Sequence, residues 1–123
     1  MEFRKNQTIY MQIADHICEN ILTSELAQGE RIQSVREMAS SIQVNPNTVM
    51  RSFNHLQDQG IIYNKRGIGY FVSDDALQKI KKMKKQDFIN NTLPQLFHMM
   101  DLLGIDMKEL EELYQKRNSN GNR

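Results

Sequence analysis

Tryptophan is absent from this 123-residue chain, and cysteine occurs once, at Cys18. One thiol cannot close an internal disulfide, and its place in the apolar stretch IYMQIADHICENI marks Cys18 as a buried, inert core residue. No run of 18 apolar residues exists, and the start MEFRKNQTIY lacks the apolar segment of a signal peptide. The expected location is therefore the cytoplasm, with no membrane partner. Excess charge is also missing. The net charge is +1 at pH 7, so the sum alone does not announce a nucleic-acid binder. His16, His55 and His98 lie far apart, Cys18 has no metal-ligand spacing to them, and neither a glycine-rich phosphate loop nor a paired-carboxylate pocket can be picked out. No catalytic residue, metal site or cofactor is expected. The length and the 39% hydrophobic content fit one small domain with an appended helical element, and exclude a two-lobed enzyme. No internal repeat or low-complexity segment is present.

What is there is periodicity. From Thr8 to Ser24, Ile9, Ile13, Ile17 and Ile21 recur every four positions, with Tyr10, Ala14 and Leu22 widening the stripe, as a core-facing helix requires. A turn around Gly29 follows, and order resumes at Ile32. Ser34 stands three residues before Glu37, the spacing of a capping box, and opens a short helix over Val35 to about Ile42 with Val35, Met38, Ala39 and Ile42 inward and Arg36 outward. After the turn IQV, Asn45 can cap a third helix, and Pro46 suits its first position because the missing N–H would have had no partner there. That helix should end near Gly60. The runs IIYN and GYFV flank KRGI, predicting a hairpin turned at Gly67. Three helices and a two-stranded hairpin describe a mainly α, winged helix-turn-helix domain over residues 1–73.

Residues 74–123 form a second region, predicted as a small two-helix element for dimerisation. A helix capped by Ser73 or Asp74 runs toward Gly104, kinked or interrupted at Pro94. Asp106 and Glu109 then open a final helix through Tyr114, and the tail RNSNGNR is expected to fray. The run Lys79, Lys81, Lys82, Lys84 and Lys85 is read as solvating its helix, with added phosphate contacts as the alternative. Apolar residues beyond it have too little chain for a separate core, so a second copy is their expected partner.

Positive charge is local: within residues 31–66, Arg31, Arg36, Arg51, Lys65 and Arg66 face only Glu37 and Asp58 as opposing charges. On the third helix, at about 100° per residue, Val49, Phe53 and Leu56 share one face while Asn47, Thr48, Arg51, Asn54 and His55 share the other. Amides and a guanidinium match base edges and phosphates, and a helix of this width fits the major groove of double-stranded DNA. Lys65 and Arg66 beside Gly67 make a cationic hairpin tip suited to a phosphate or the adjacent minor groove. Taken singly, each feature is equally a solvated polar surface. Their occurrence on three consecutive elements of one docking face favours DNA.

The stretches IYMQIADHICENI, GERIQSVREMA, VNPNTVMRSFNHLQDQGIIY and KRGIGYFV resemble, in order and spacing, the N-terminal domain of GntR-family bacterial transcription regulators across residues 8–73. The short helical C-terminal part is similar to that of the YtrA-like subfamily, whose members dimerise through it. The resemblance implies DNA-contacting positions at Arg36, Asn45, Asn47, Thr48, Arg51, Arg66 and Gly67; Lys65 joins them from the charge of the hairpin tip. Three positions depart from the family pattern: Gln33 replaces a proline, Gln43 a glycine in the helix-turn-helix turn, and Met50 a polar or basic side chain. The expected function is a dimeric, sequence-specific repressor that blocks polymerase by occupying an inverted-repeat operator. The competing reading is a winged-helix protein-interaction module without sequence-specific DNA binding, against which the polar face of Asn47, Arg51 and Asn54 argues. No small-molecule effector is assigned.

Overall fold

In a computed structural model, which describes residues 1, 3 and 7–119, the elements follow in the order α1 (Ile9–Leu22), α2 (Val35–Ile42), α3 (Pro46–Asp58), β1 (Ile62–Lys65), β2 (Gly69–Val72), α4 (Ala76–Asp87), a π-helical turn (Phe88–Thr92), α5 (Leu93–Leu103) and α6 (Met107–Ser119). The chain divides into two compact units, residues 1–83 and 84–123. None of the described helices is long and apolar enough to cross a membrane.

Helix α1 buries Ile13, Ile17 and Ile21, but its first stripe residue, Ile9, is 44% exposed, so the stripe meets the core only from the second turn. Helix α2 opens on the capping box read from the sequence. The Glu37 amide donates to Ser34 Oγ and the Ser34 amide to Glu37 Oε1, both at 3.0 Å. It closes on Gln43 at φ 57°, ψ 51°, a left-handed residue other than glycine in the turn between α2 and α3. At the start of α3, Asn45 Oδ1 accepts the Asn47 amide at 2.8 Å, and Pro46 takes the first helical position. Val49, Phe53 and Leu56 are buried as the periodicity requires. Ser52 is buried among them, its hydroxyl 2.7 Å from the Tyr10 carbonyl of α1 and 3.3 Å from that of Thr48. A polar side chain is tolerated there because its one proton has a carbonyl to meet.

Strands β1 and β2 pair antiparallel, Ile62 opposite Val72 and Lys65 opposite Gly69. Ile62 and Val72 enter the core, and Tyr70 places its ring edge-on to Phe53 at 4.9 Å. A third segment joins this sheet where the sequence suggested only a turn. Gly29 N–H donates to the Val72 carbonyl, Val72 N–H to that of Glu30 and Ile32 N–H to that of Tyr70, at 2.8–3.0 Å, with Arg31 bridged to Phe71.

Helix α4 begins later than Ser73 or Asp74, the two caps expected for it. Ser73 is engaged elsewhere: its N–H donates to the Ile61 carbonyl and its carbonyl accepts from Ala76 in a turn. Ala76 and Ile80 belong to the core of the first unit, and Lys79 donates to the Gly60 carbonyl at 3.3 Å and pairs with Asp75 at 3.2 Å. Lys79 therefore secures the exit from α3 and is not one of a uniform row of solvated lysines. Within the second unit, the interruption expected at Pro94 takes the form of the π turn just before it. Proline has no N–H for the carbonyl of residue 90 and its ring crowds that carbonyl, so the preceding turn widens, Leu93 N–H bonding the Phe88 carbonyl. Helix α5 ends on left-handed Gly104, and Asp106 caps α6 by accepting the Glu109 amide at 2.9 Å. Helix α6 continues past Tyr114 to Ser119, so the first three residues of the tail expected to fray, 117–119, are helical, and the rest of it, 120–123, lies outside the described residues. Met100 is the buried large apolar residue of this unit, while Phe88, Phe97, Leu102, Leu103, Leu113 and Tyr114 are exposed.

Candidate nucleic-acid interface

The eight residues singled out in the sequence fall on α2, α3 and the hairpin, and the structure engages them differently. Arg36 is exposed in the first turn of α2, in a shallow groove shared with Arg31, Ser34, Glu37 and Ser40. Asn45 has its side-chain oxygen committed to the cap, which leaves its amide N–H donors for an external partner. Asn47 and Thr48 follow in the first turn of α3, Asn47 exposed and Thr48 half-buried. Arg51 is exposed, yet its guanidinium carbon lies 4.2 Å from the centroid of the Tyr10 ring. Tyr10 also meets the His55 ring edge-on at 6.3 Å, and Tyr10, Arg51, Asn54, His55 and Asp58 line one shallow groove.

Lys65, Arg66 and Gly67 form the hairpin tip, all exposed. Gly67 adopts φ +78° with open space around the position a Cβ would take, so glycine is required there by backbone conformation and not by crowding. The Lys65 ammonium leans back over the Phe71 ring at 4.8 Å, on the face where Tyr63 and Phe71 stack. Arg66 makes no hydrogen bond or ion pair among the described residues. The same holds for the side chains of Arg36, Asn47 and Asn54. Beyond its ring contact, it also holds for Arg51.

Arg31, which the sequence marks only by its charge, also has a structural role. Its Nε donates to the Ile68 carbonyl at 3.3 Å, tying the hairpin turn to the segment that leads into α2. Gly69 is its counterpart: at φ +144°, a Cβ there would sit 2.8 Å from Arg31 Nε. The spacing Gly67-Ile68-Gly69 was the available signal, since two glycines so close in a hairpin call for two separate reasons. In the sequence Tyr10 widens an apolar stripe, and nothing local announces its ring contact with Arg51. The structure thus gathers Arg31 and Arg36 in one groove and Arg51 and Tyr10 in another.

One acid sits inside the cationic patch. The Glu37 carboxyl is held below its ordinary value, first by the backbone N–H of Ser34, then by the Ser34 hydroxyl, with the Arg31 guanidinium adding a smaller pull against desolvation. The carboxylate is thereby kept ionised and turned onto the cap, and Arg31 and Arg36 together outweigh its single charge in the groove. No group of His, Cys, Asp and Glu that could hold a metal occurs among the described residues.

Comparison with known proteins places this geometry in context. The family described as bacterial regulatory proteins, gntR family, matches residues 9–72. The chain is 34% identical over 111 residues to the uncharacterized HTH-type transcriptional regulator YhcF of Bacillus subtilis (strain 168), covering 90% of each protein. It is 33% identical over 109 residues to the HTH-type transcriptional repressor YtrA of the same organism, covering 89% of this chain and 83% of that one. A crystal structure of a GntR-family regulator from Bacteroides thetaiotaomicron superposes with a TM-score of 0.78 at 43% identity, covering 94% of this chain and all of the other.

Proposed function

Because the chain belongs to the gntR family of bacterial regulatory proteins, in its YtrA-like branch, we propose that it is a sequence-specific repressor that binds an inverted-repeat operator as a homodimer. Members of this family are transcription regulators and not enzymes. The observation that carries the reading is the division of α3. Val49, Ser52, Phe53 and Leu56 hold one face in the core, while the side chains of Asn47, Arg51 and Asn54 on the other have no hydrogen-bond or ion-pair partner among the described residues. Such a helix fits the major groove and presents the donor and acceptor types that read base edges.

Around it, Arg36 faces the phosphates where α2 crosses the duplex, and Arg66 and Gly67 bring the hairpin tip to the flanking groove. Asn45 and Thr48 contribute at the helix start, and Lys65 adds charge behind the tip. In this division of labour residues 1–73 bind DNA and residues 74–123 join two copies, in the cytoplasm. Support for the dimer comes from the second unit, whose Phe97, Leu102 and Leu103 are exposed and lack a core of their own. Repression follows from occupancy of the operator, and YtrA of B. subtilis, a repressor by name, is the relative that supports that sign.

Selection of bound duplexes from random DNA tests the reading. The expected product is an inverted repeat with half-site centres about one helical turn, ~34 Å, apart. Salt-sensitive binding with no preferred sequence would refute it. Sedimentation of the free protein should give a dimer.

A further inference from the structure

Tyr10 stands at the start of α1, outside the helix-turn-helix pair and the hairpin, yet three separate contacts tie it to α3. Its ring lies under the Arg51 guanidinium at 4.2 Å, its edge contact reaches His55, and its carbonyl accepts the buried Ser52 hydroxyl at 2.7 Å. Arg51, Ser52 and His55 occupy successive positions around one side of α3, so the α1 residue touches the recognition helix along a full turn. From this arrangement we infer that Tyr10 is a positioning residue for DNA recognition, holding the Arg51 side chain ready for its DNA partner.

A free arginine side chain gives up conformational freedom when it binds. Its four rotatable bonds leave many rotamers, and fixing them on binding is an entropic loss. A cation over an aromatic face is held by the ring quadrupole, while the N–H donors at the edge of the guanidinium remain available. Arg51 fits that description, since the ring of Tyr10 is its single partner among the described residues. The seam behind the ring is fixed independently by the Ser52 hydroxyl, so the platform does not depend on the arginine it carries. Asp58, which lines the same groove, makes no ion pair with Arg51; the ring and not the acid sets the resting pose.

This inference rests on the proposed role of Arg51 in DNA binding, and the experiment separates the two. Affinity for the selected operator duplex is measured at fixed salt for the wild type, Tyr10→Leu, Arg51→Ala and the double variant. Arg51→Ala should weaken binding. Tyr10→Leu should weaken it about two- to thirtyfold, and the double variant should bind no worse than Arg51→Ala alone. Tyr10→Phe, which keeps the ring, should bind like the wild type. If Arg51→Ala leaves affinity unchanged, the role of Arg51 fails and this inference with it. If Arg51→Ala weakens binding but Tyr10→Leu either has no effect or lowers affinity equally in both backgrounds, only the positioning role is overturned. Should Tyr10→Leu not fold, the free wild-type protein decides: the Arg51 side-chain methylene protons must show the upfield NMR shift of groups over a ring face. Their appearance at unperturbed positions refutes the stack.

Discussion

Gln43 offers a direct test of how much backbone strain the turn between α2 and α3 stores. It adopts φ 57°, ψ 51°, a region that L-residues with a Cβ occupy at a cost of about 1–2 kcal/mol. Its side chain is exposed and makes no hydrogen bond among the described residues, so replacing it removes no contact. Gln43→Gly relieves the strain but enlarges the conformational freedom of the unfolded chain, which takes back about 0.4–1 kcal/mol. The difference is a net stabilisation of about 0.5–1 kcal/mol. At a urea slope of roughly 2 kcal/mol/M, the midpoint should rise by about 0.3–0.5 M with the slope unchanged. The melting temperature should rise by about 2–4 °C. Protein concentration must be held constant, because association would itself shift the midpoint. Gln43→Val serves as the opposite arm: a β-branched residue is worse in this region and should lower the midpoint. A glycine variant with a midpoint at or below the wild type would refute the reasoning, and would show that the turn holds Gln43 without measurable strain.

Other perturbations have equally definite outcomes. Gly69→Ala introduces a methyl group that meets Arg31 Nε at 2.8 Å; it should loosen the hairpin, visible as faster amide exchange of Ile32 and Val72, and reduce operator affinity. The Glu37 carboxyl has a depressed folded value, so its stabilising contribution is present above the ordinary glutamate range and disappears as pH falls through the lower folded value. Glu37→Gln should therefore be less stable than the wild type near neutral pH, the gap closing in acid; a gap that widens in acid would contradict the assigned cause. Lys79→Gln breaks the contacts to Gly60 and Asp75. It should lower stability by no more than about 1 kcal/mol and leave operator affinity at its wild-type value in a binding titration.

Features that arise from neighbours in the chain were legible before any coordinates. The capping box at Ser34 and Glu37, the Asn45–Pro46 start of α3 and the isoleucine stripe of α1 each depend on groups within one or two helical turns. What escaped reading depends on contacts between elements. Ser52 looks misplaced on an apolar face until the Tyr10 carbonyl is seen above it. Residues 29–32 contain one apolar side chain and no alternation, so their pairing with β2 had no local signature; the partner strand supplies the order. The widened turn before Pro94 is a compromise between helix propagation and a missing donor, and the sequence marks where the conflict lies but not how it resolves. Lys79 shares its neighbours' composition and differs from them only in having Gly60 within reach. For the candidate interface, residue types and spacing pointed to the arginines of α2, α3 and the hairpin. They did not reveal the contacts of Arg31 or Tyr10, which cross from one element to another.

The ladder between residues 29–32 and β2, fastened at its outer end by Arg31 on the Ile68 carbonyl, makes the hairpin and the lead-in to α2 a single strip of backbone. A strip of fixed dimensions behaves as a caliper. With Arg36 near one end and Arg66 at the other, the proposed role of these two residues as phosphate contacts implies a span set by the protein, so that a duplex of different groove width would have to deform to be gripped. Sequences that already have the matching width, or deform cheaply, gain affinity at positions no side chain touches. Under the proposed function, lengthening the hairpin by a residue on each strand should then alter which spacer sequences are preferred while leaving the half-site preference assigned to α3 the same.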